Sequence, residues 1–82
     1  MATILLVEDD TTISDLLRVY LERDSYQVYL AADGDKALEL FDKVLPDLVI
    51  LDLNLPIKSG LEILPVMRAS SKCPILVLSA RI

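Results

Sequence analysis

Two acidic stretches of this 82-residue chain hold residue types able to do chemistry: Glu8-Asp9-Asp10, directly after the apolar run Ile4-Leu5-Leu6-Val7, and Asp52, directly after Leu48-Val49-Ile50-Leu51. A third apolar run, Pro74 to Leu78, ends in a hydroxyl, Ser79. Runs this short and this continuous read as central strands of a parallel sheet covered on both faces. Their polar residues then sit at the carboxyl ends of the strands, the edge at which open α/β sheets bind ligands. Singly, each has an ordinary explanation, because strand-end aspartates and serines form turns. Brought to one edge, they ask for more. Two carboxylates ~5 Å apart at an effective dielectric near 20 repel by roughly 3 kcal/mol. Protonation, outward rotation or a bound cation can relieve that repulsion. With no histidine and a single cysteine, Cys73, in the chain, an all-oxygen donor set favours a hard divalent ion. Few carboxylates with room for water and phosphate suit Mg²⁺ better than Ca²⁺. A cation beside a lone carboxylate and a small hydroxyl suits phosphoryl chemistry. Asp52 would be the nucleophile and Ser79 a hydrogen-bond donor to a phosphoryl oxygen, with the small side chain of Ala80 leaving the approach open.

The elements between these strands must position them. Thr11 or Thr12 is placed to cap a first helix whose apolar residues Ile13, Leu16, Leu17, Tyr20 and Leu21 fall at i, i+3, i+4, i+7 and i+8, one buried face. Tyr26 to Ala31, interrupted by Gln27 and Tyr29, reads as an edge strand. Asp33-Gly34-Asp35 opens a second helix with Ala37, Leu40, Phe41 and Val44 inward, stopped by Pro46. Ser59 and Glu62 stand at capping-box spacing for a third helix. Pro65 inside it removes a backbone bond at a cost of ~3 kcal/mol, which predicts a kink or a delayed start. The order βαβαβαβ with short connections calls for a doubly wound parallel sheet with right-handed crossovers and helices on both faces.

Composition narrows the function classes. A net charge of -5 with eight scattered basic residues argues against a nucleic-acid surface on this chain. The run Ile4 to Val7 is too short for a membrane span or a signal peptide, and one cysteine suits a reducing compartment, so a cytoplasmic protein is expected. At 54% apolar residues, the chain has more to hide than so small a body readily buries.

Val7-Glu8-Asp9-Asp10, then Asp52-Leu53-Asn54-Leu55-Pro56 with Ser59-Gly60, then Leu78-Ser79-Ala80-Arg81 together resemble the receiver domains of two-component response regulators. The match runs through the whole chain in order. The resemblance implies a flavodoxin-like sheet of order 2-1-3-4, which sets the first and third strands side by side. It implies that Asp52 is the phosphoacceptor for a sensor histidine kinase and that Mg²⁺ is held by Asp9, Asp52 and the Asn54 backbone carbonyl, with Glu8 acting through water. Ser79 would be the switch hydroxyl, and Ala80, Asn54 and Arg81 would set phosphate access and lifetime. The ending Leu78-Ser79-Ala80-Arg81 is similar to the subgroup that often carries a transcriptional output domain. A complete receiver continues through a further helix, strand and helix with a catalytic lysine after its fifth strand. Residues 1–82 are therefore expected to be a receiver incomplete at its C-terminus. None of Lys36, Lys43, Lys58 and Lys72 takes the lysine's role, and phosphorylation is expected to be slow or absent. Two other classes compete with a non-enzymatic signalling domain. One is a self-associating interaction module, a homodimer or segment-exchanged dimer built on an open strand edge. The other is an aspartyl phosphatase, which would want a second acid where Asn54 stands.

Overall fold

The computed structural model describes residues 2–78, in which strand and helix alternate. The elements are β1 (Thr3–Val7), α1 (Thr11–Arg23), β2 (Gln27–Ala31), α2 (Gly34–Val44), β3 (Leu48–Asp52), α3 (Gly60–Ser70) and β4 (Ile75–Leu78). The strands form one parallel sheet in the order β2-β1-β3-β4. Each apolar run became a strand because its side chains alternate into two separate cores. Leu5, Val7, Val49 and Leu51 pack on one face against Ala37 and Phe41 of α2 and Ile63 and Met67 of α3. Ile4, Leu6 and Ile50 pack on the other, against Leu17 and Leu21 of α1. Both faces of the central pair are thus dry, which is why Ile4 to Val7 of β1 and Leu48 to Leu51 of β3 include no polar residue. β2 is the expected edge strand, more exposed at Gln27 than at Ala31.

Three local expectations are corrected. The cap of α1 is Asp10, whose Oδ1 accepts from the amides of Thr12 and Ile13 at 2.9 and 3.3 Å, rather than Thr11 or Thr12. A carboxylate one residue earlier reaches two otherwise unpaired donors. The apolar face of α1 is only partly buried: Leu17 and Leu21 enter the core, whereas Ile13, Leu16 and Tyr20 stay exposed. The crossover lays α1 beside β2 and over the Ile4–Leu6 core, which Leu17 and Leu21 reach and the flank carrying those three residues does not. Finally, α3 has no delayed start at Pro65. It begins at Gly60, directly after Ser59, and runs unbroken to Ser70. The reciprocal Ser59–Glu62 capping box fixes its first turn, and buried Ile63 and Met67 anchor it. Pro65 and Leu61, four residues before it, both lie on the exposed side, where water can satisfy the freed Leu61 carbonyl.

Candidate functional site

The register places the site. Val7 of β1 pairs with Leu51 of β3, so the residues one step further on, Glu8 and Asp52, emerge side by side at the carboxyl edge. The Glu8 amide donates to the Ala31 carbonyl at 3.0 Å, keeping the end of β1 tied to β2 as the chain turns toward α1. From β3 the chain leaves in the opposite sense, through Leu53 to Ser59. Because α1 and α3 depart to different faces, the crevice between the two strand ends stays open.

Glu8, Asp9 and Asp52 each offer a carboxylate oxygen there, and these atoms lie within 4.8 Å of one another. Glu8 is buried, Asp52 half-buried and Asp9 exposed, so the cluster grades from protein to solvent. A cavity of about 400 Å³ opens over it, lined by the three acids with Asp10, Ile13, Asn54 and Leu78. Crowding has an electrostatic cost, and it falls on the most buried member. Burial pushes the Glu8 carboxyl up to about 7. The Asp10 amide, donating to Glu8 Oε2 at 3.1 Å, works against that rise, while the neighbouring Asp52 and Asp9 carboxyls add to it. Asp52 Oδ1 accepts from the Asn54 amide at 3.0 Å, which orients the carboxylate and leaves Oδ2 the freer oxygen.

A bound cation fits this donor set: three carboxylates close enough to share one ion, oxygen only, with the Glu8 carboxyl pushed up chiefly by burial and further by its acidic neighbours. Asn54 lines the same cavity. Ser79, Ala80 and Arg81 lie outside the described residues, although Leu78 just before them lines the cavity. No lysine is among the described residues that line it; Lys58, the lysine of the β3–α3 loop, pairs with Asp35 at 3.2 Å.

Two contributions were missed in the sequence. Asp10 both caps α1 and hydrogen-bonds Glu8, and its signal was present as the third acid of Glu8-Asp9-Asp10. Gly60 stands in the sequence only as part of the Ser59-Gly60 motif, with nothing to show what it packs against. An added Cβ there would stand 2.7 Å from the Asp52 carbonyl oxygen and from Leu53 Cα, so only glycine lets α3 begin this close to the end of β3.

Comparison with known proteins agrees with this geometry. The response regulator receiver domain family matches residues 4–82. Among curated relatives, the transcriptional regulatory protein CpxR of Escherichia coli K12 is 40% identical over 81 residues, covering 99% of this chain and 34% of the relative. The uncharacterized transcriptional regulatory protein YrkP of Bacillus subtilis is 51% identical over 78 residues, covering 95% of this chain and 33% of the relative. The chain therefore spans about a third of the length of these curated relatives. Among solved structures, the BeF3-activated receiver domain of Klebsiella pneumoniae RstA superposes with a TM-score of 0.92 at 34% identity, over 98% of this chain and 68% of that one. The chemotaxis protein CheY4 of Vibrio cholerae gives a TM-score of 0.92 at 34% identity, over 100% of this chain and 71% of that one. The sheet order, the three helices and the acidic edge share one explanation: this chain belongs to the response regulator receiver domains, the phosphorelay modules of two-component signalling.

Proposed function

We propose that Asp52 accepts a phosphoryl group from a phosphohistidine of a sensor histidine kinase, in a Mg²⁺-dependent reaction. The observation that carries this reading is the convergence of Glu8, Asp9 and Asp52 within 4.8 Å at the mouth of an open cavity. An oxygen of Asp52 attacks phosphorus, an O–P bond forms, and the N–P bond to the imidazole breaks. The Asn54 amide holds Oδ1, so Oδ2 is the attacking atom. Asp9, Asp52 and the Asn54 carbonyl would hold the cation, with Glu8 acting through water; when bound, Mg²⁺ would supply the positive charge that offsets the phosphoryl oxygens. Ser79 is assigned the switch hydroxyl, and Ala80, Asn54 and Arg81 the control of access and of the lifetime of the acyl phosphate. The domain acts as a phosphoacceptor rather than as an enzyme.

In a longer protein the modification would drive a transcriptional output, a reading supported by the names of CpxR and YrkP. Nucleic acid is not a partner of this domain itself, whose net charge is -5. No helix among the described residues is long and apolar enough to cross a membrane, which supports a cytoplasmic setting. Self-association, as a homodimer or a segment-exchanged dimer, is supported by the exposed apolar residues of α1 and β4.

The test is chemical. Incubation with acetyl phosphate and Mg²⁺, followed by peptide mass spectrometry, is expected to place the label on Asp52. Label persisting in Asp52→Asn overturns the assignment.

A further inference from the structure

The β3–α3 loop carries Asn54 near its start and meets α2 near its end, and that second contact is closer than side chains allow. Gly34 opens α2. A Cβ built on it would stand 2.5 Å from Lys58 Cβ and closer still to the Lys58 carbonyl oxygen, both well inside van der Waals contact. Gly34 does not have a positive φ, so it is not there for backbone freedom. Nor does it favour the helix, glycine being the poorest helix former after proline. What it supplies is the missing side chain.

The surroundings mark this contact as a seat for the loop. Lys58 Nζ pairs with Asp35 Oδ1 at 3.2 Å, so the backbone and the side chain of one loop residue engage successive residues of one helical turn. That turn is itself fixed by Asp33, whose Oδ1 accepts from the Lys36 amide at 2.8 Å. One residue before Lys58 the chain folds back through the left-handed Ile57, a conformation that holds only where neighbouring structure overdetermines it. The loop's other ties are at its ends, where the Asn54 amide donates to Asp52 Oδ1 and the Gly60 amide to the Leu53 carbonyl, each at 3.0 Å. α2 starts just past the same carboxyl edge, because Ala31 of β2 is in register with Val7, and Val7 with Leu51.

We propose that Gly34 is a positioning residue for the cation-binding loop: lacking a side chain, it lets Lys58 seat on the first turn of α2, and that seat sets where Asn54 stands relative to Asp52. The atom nearest an added Cβ is a backbone oxygen, which cannot swing aside as a flexible side chain does. The loop must move instead. It is tied at both ends, so the displacement spreads along residues 53–59 and carries Asn54 with it. Groups that hold a ligand in place commonly cost ten- to a hundredfold in metal affinity when altered. The effect on binding rests on the reading of Asn54 as a cation ligand, whereas the placement of Asn54 is measurable without any cation.

Amide NMR spectra of the 82-residue chain in chelator are expected to show the Asn54 resonance moved in Gly34→Ala, with faster exchange against solvent than in the wild type. Mg²⁺ titration, at a temperature where thermal melts show both chains folded, is expected to show affinity weakened about tenfold. Gly34→Ala combined with Lys58→Gly, which removes the second close atom and loosens the loop backbone, is expected to recover part of both. Should Gly34→Ala not fold, Lys58→Glu sets like charges against Asp35 and unseats the loop without touching a glycine, and it is expected to move the Asn54 resonance in its place. An unmoved Asn54 resonance, or Mg²⁺ bound with equal affinity by variant and wild type, overturns the positioning role. A wild-type chain that binds no Mg²⁺ while Asn54 still moves in the variant overturns the cation reading and leaves Gly34 as the residue that places Asn54 against Asp52.

Discussion

Glu8 shows how a single residue can connect function to stability. Its carboxyl is held at about 7 against an ordinary 4.5, chiefly by burial. Below 4.5 the group is protonated in the folded and unfolded chain alike. Between 4.5 and 7 the unfolded chain gives up the proton while the folded chain keeps it, so stability falls as pH rises and levels off above 7. The loss is as much as about 3 kcal/mol. Urea melts in chelator between about pH 5 and 8 should show this decline, and Glu8→Gln should flatten it. A rise in stability across that range would contradict the burial of Glu8 beside two acids. Asp9 has the opposite exposure and a different role. Mg²⁺ at a hundredfold excess over its dissociation constant should stabilise the chain by about 2.7 kcal/mol, and Asp9→Ala should abolish that response. A Tm shift of equal size in Asp9→Ala would remove it from the ligand set.

The short β3–α3 connection is the element on which the position of Asp52 depends. Its Gly60 abuts the Asp52 carbonyl, and the Gly60 amide donates to Leu53 at 3.0 Å. Gly60→Ala must push α3 and the end of β3 apart, and is expected to cost more than about 2 kcal/mol, whereas Ser59→Ala should cost about 1 kcal/mol as a lost cap. Thermal melts that rank the two the other way would show that the close approach relaxes freely. Within the same loop Ile57 has φ 69°, and the Lys58 amide donates to the Pro56 carbonyl across it at 2.7 Å. A left-handed, β-branched residue is strained by roughly 1–2 kcal/mol. Because Ile57 is exposed and leaves no cavity, Ile57→Gly is expected to raise stability by about 0.5–1 kcal/mol in chemical denaturation. Destabilisation by that variant would mean the isoleucine side chain has a contact that outweighs the strain.

At the scale of the molecule, the two sheet faces are unequal. The face under α2 and α3 has the larger core, with Phe41, Ile63 and Met67 closing over five strand residues, while the α1 face buries Ile4, Leu6 and Ile50 alone. Stability should accordingly concentrate on one side: Ile63→Ala, fully buried, is expected to cost about 2–5 kcal/mol, and Leu16→Ala, on the exposed flank, less than about 0.5 kcal/mol in the monomer. Equal losses measured in dilute urea titrations would mean the α1 flank is packed in solution. The functional edge lies where both faces meet, so the acids are held by a stiff pair of central strands rather than by either helix layer.

What the chain states locally was readable without coordinates. The apolar runs at Ile4 and Leu48 specify strands because continuous hydrophobicity demands cover on both faces, and the Ser59–Glu62 spacing specifies a helix start because it pairs otherwise orphaned amides. The run at Ile75 is a strand too, but Leu76, Val77 and Leu78 are exposed among the described residues. The acidic residues were legible for the same reason, since carboxylates straight after such strands can only emerge at an edge. What tertiary structure alone decided was which of those local statements act together. The β1–β3 register turned Glu8, Asp9 and Asp52 from separate strand ends into one cluster that shifts the Glu8 carboxyl toward neutrality. The placement of α1 beside β2 left Ile13, Leu16 and Tyr20 exposed although their helical spacing reads as a buried face. Periodicity reports that a face is apolar, but only the packing of neighbouring elements determines whether anything covers it.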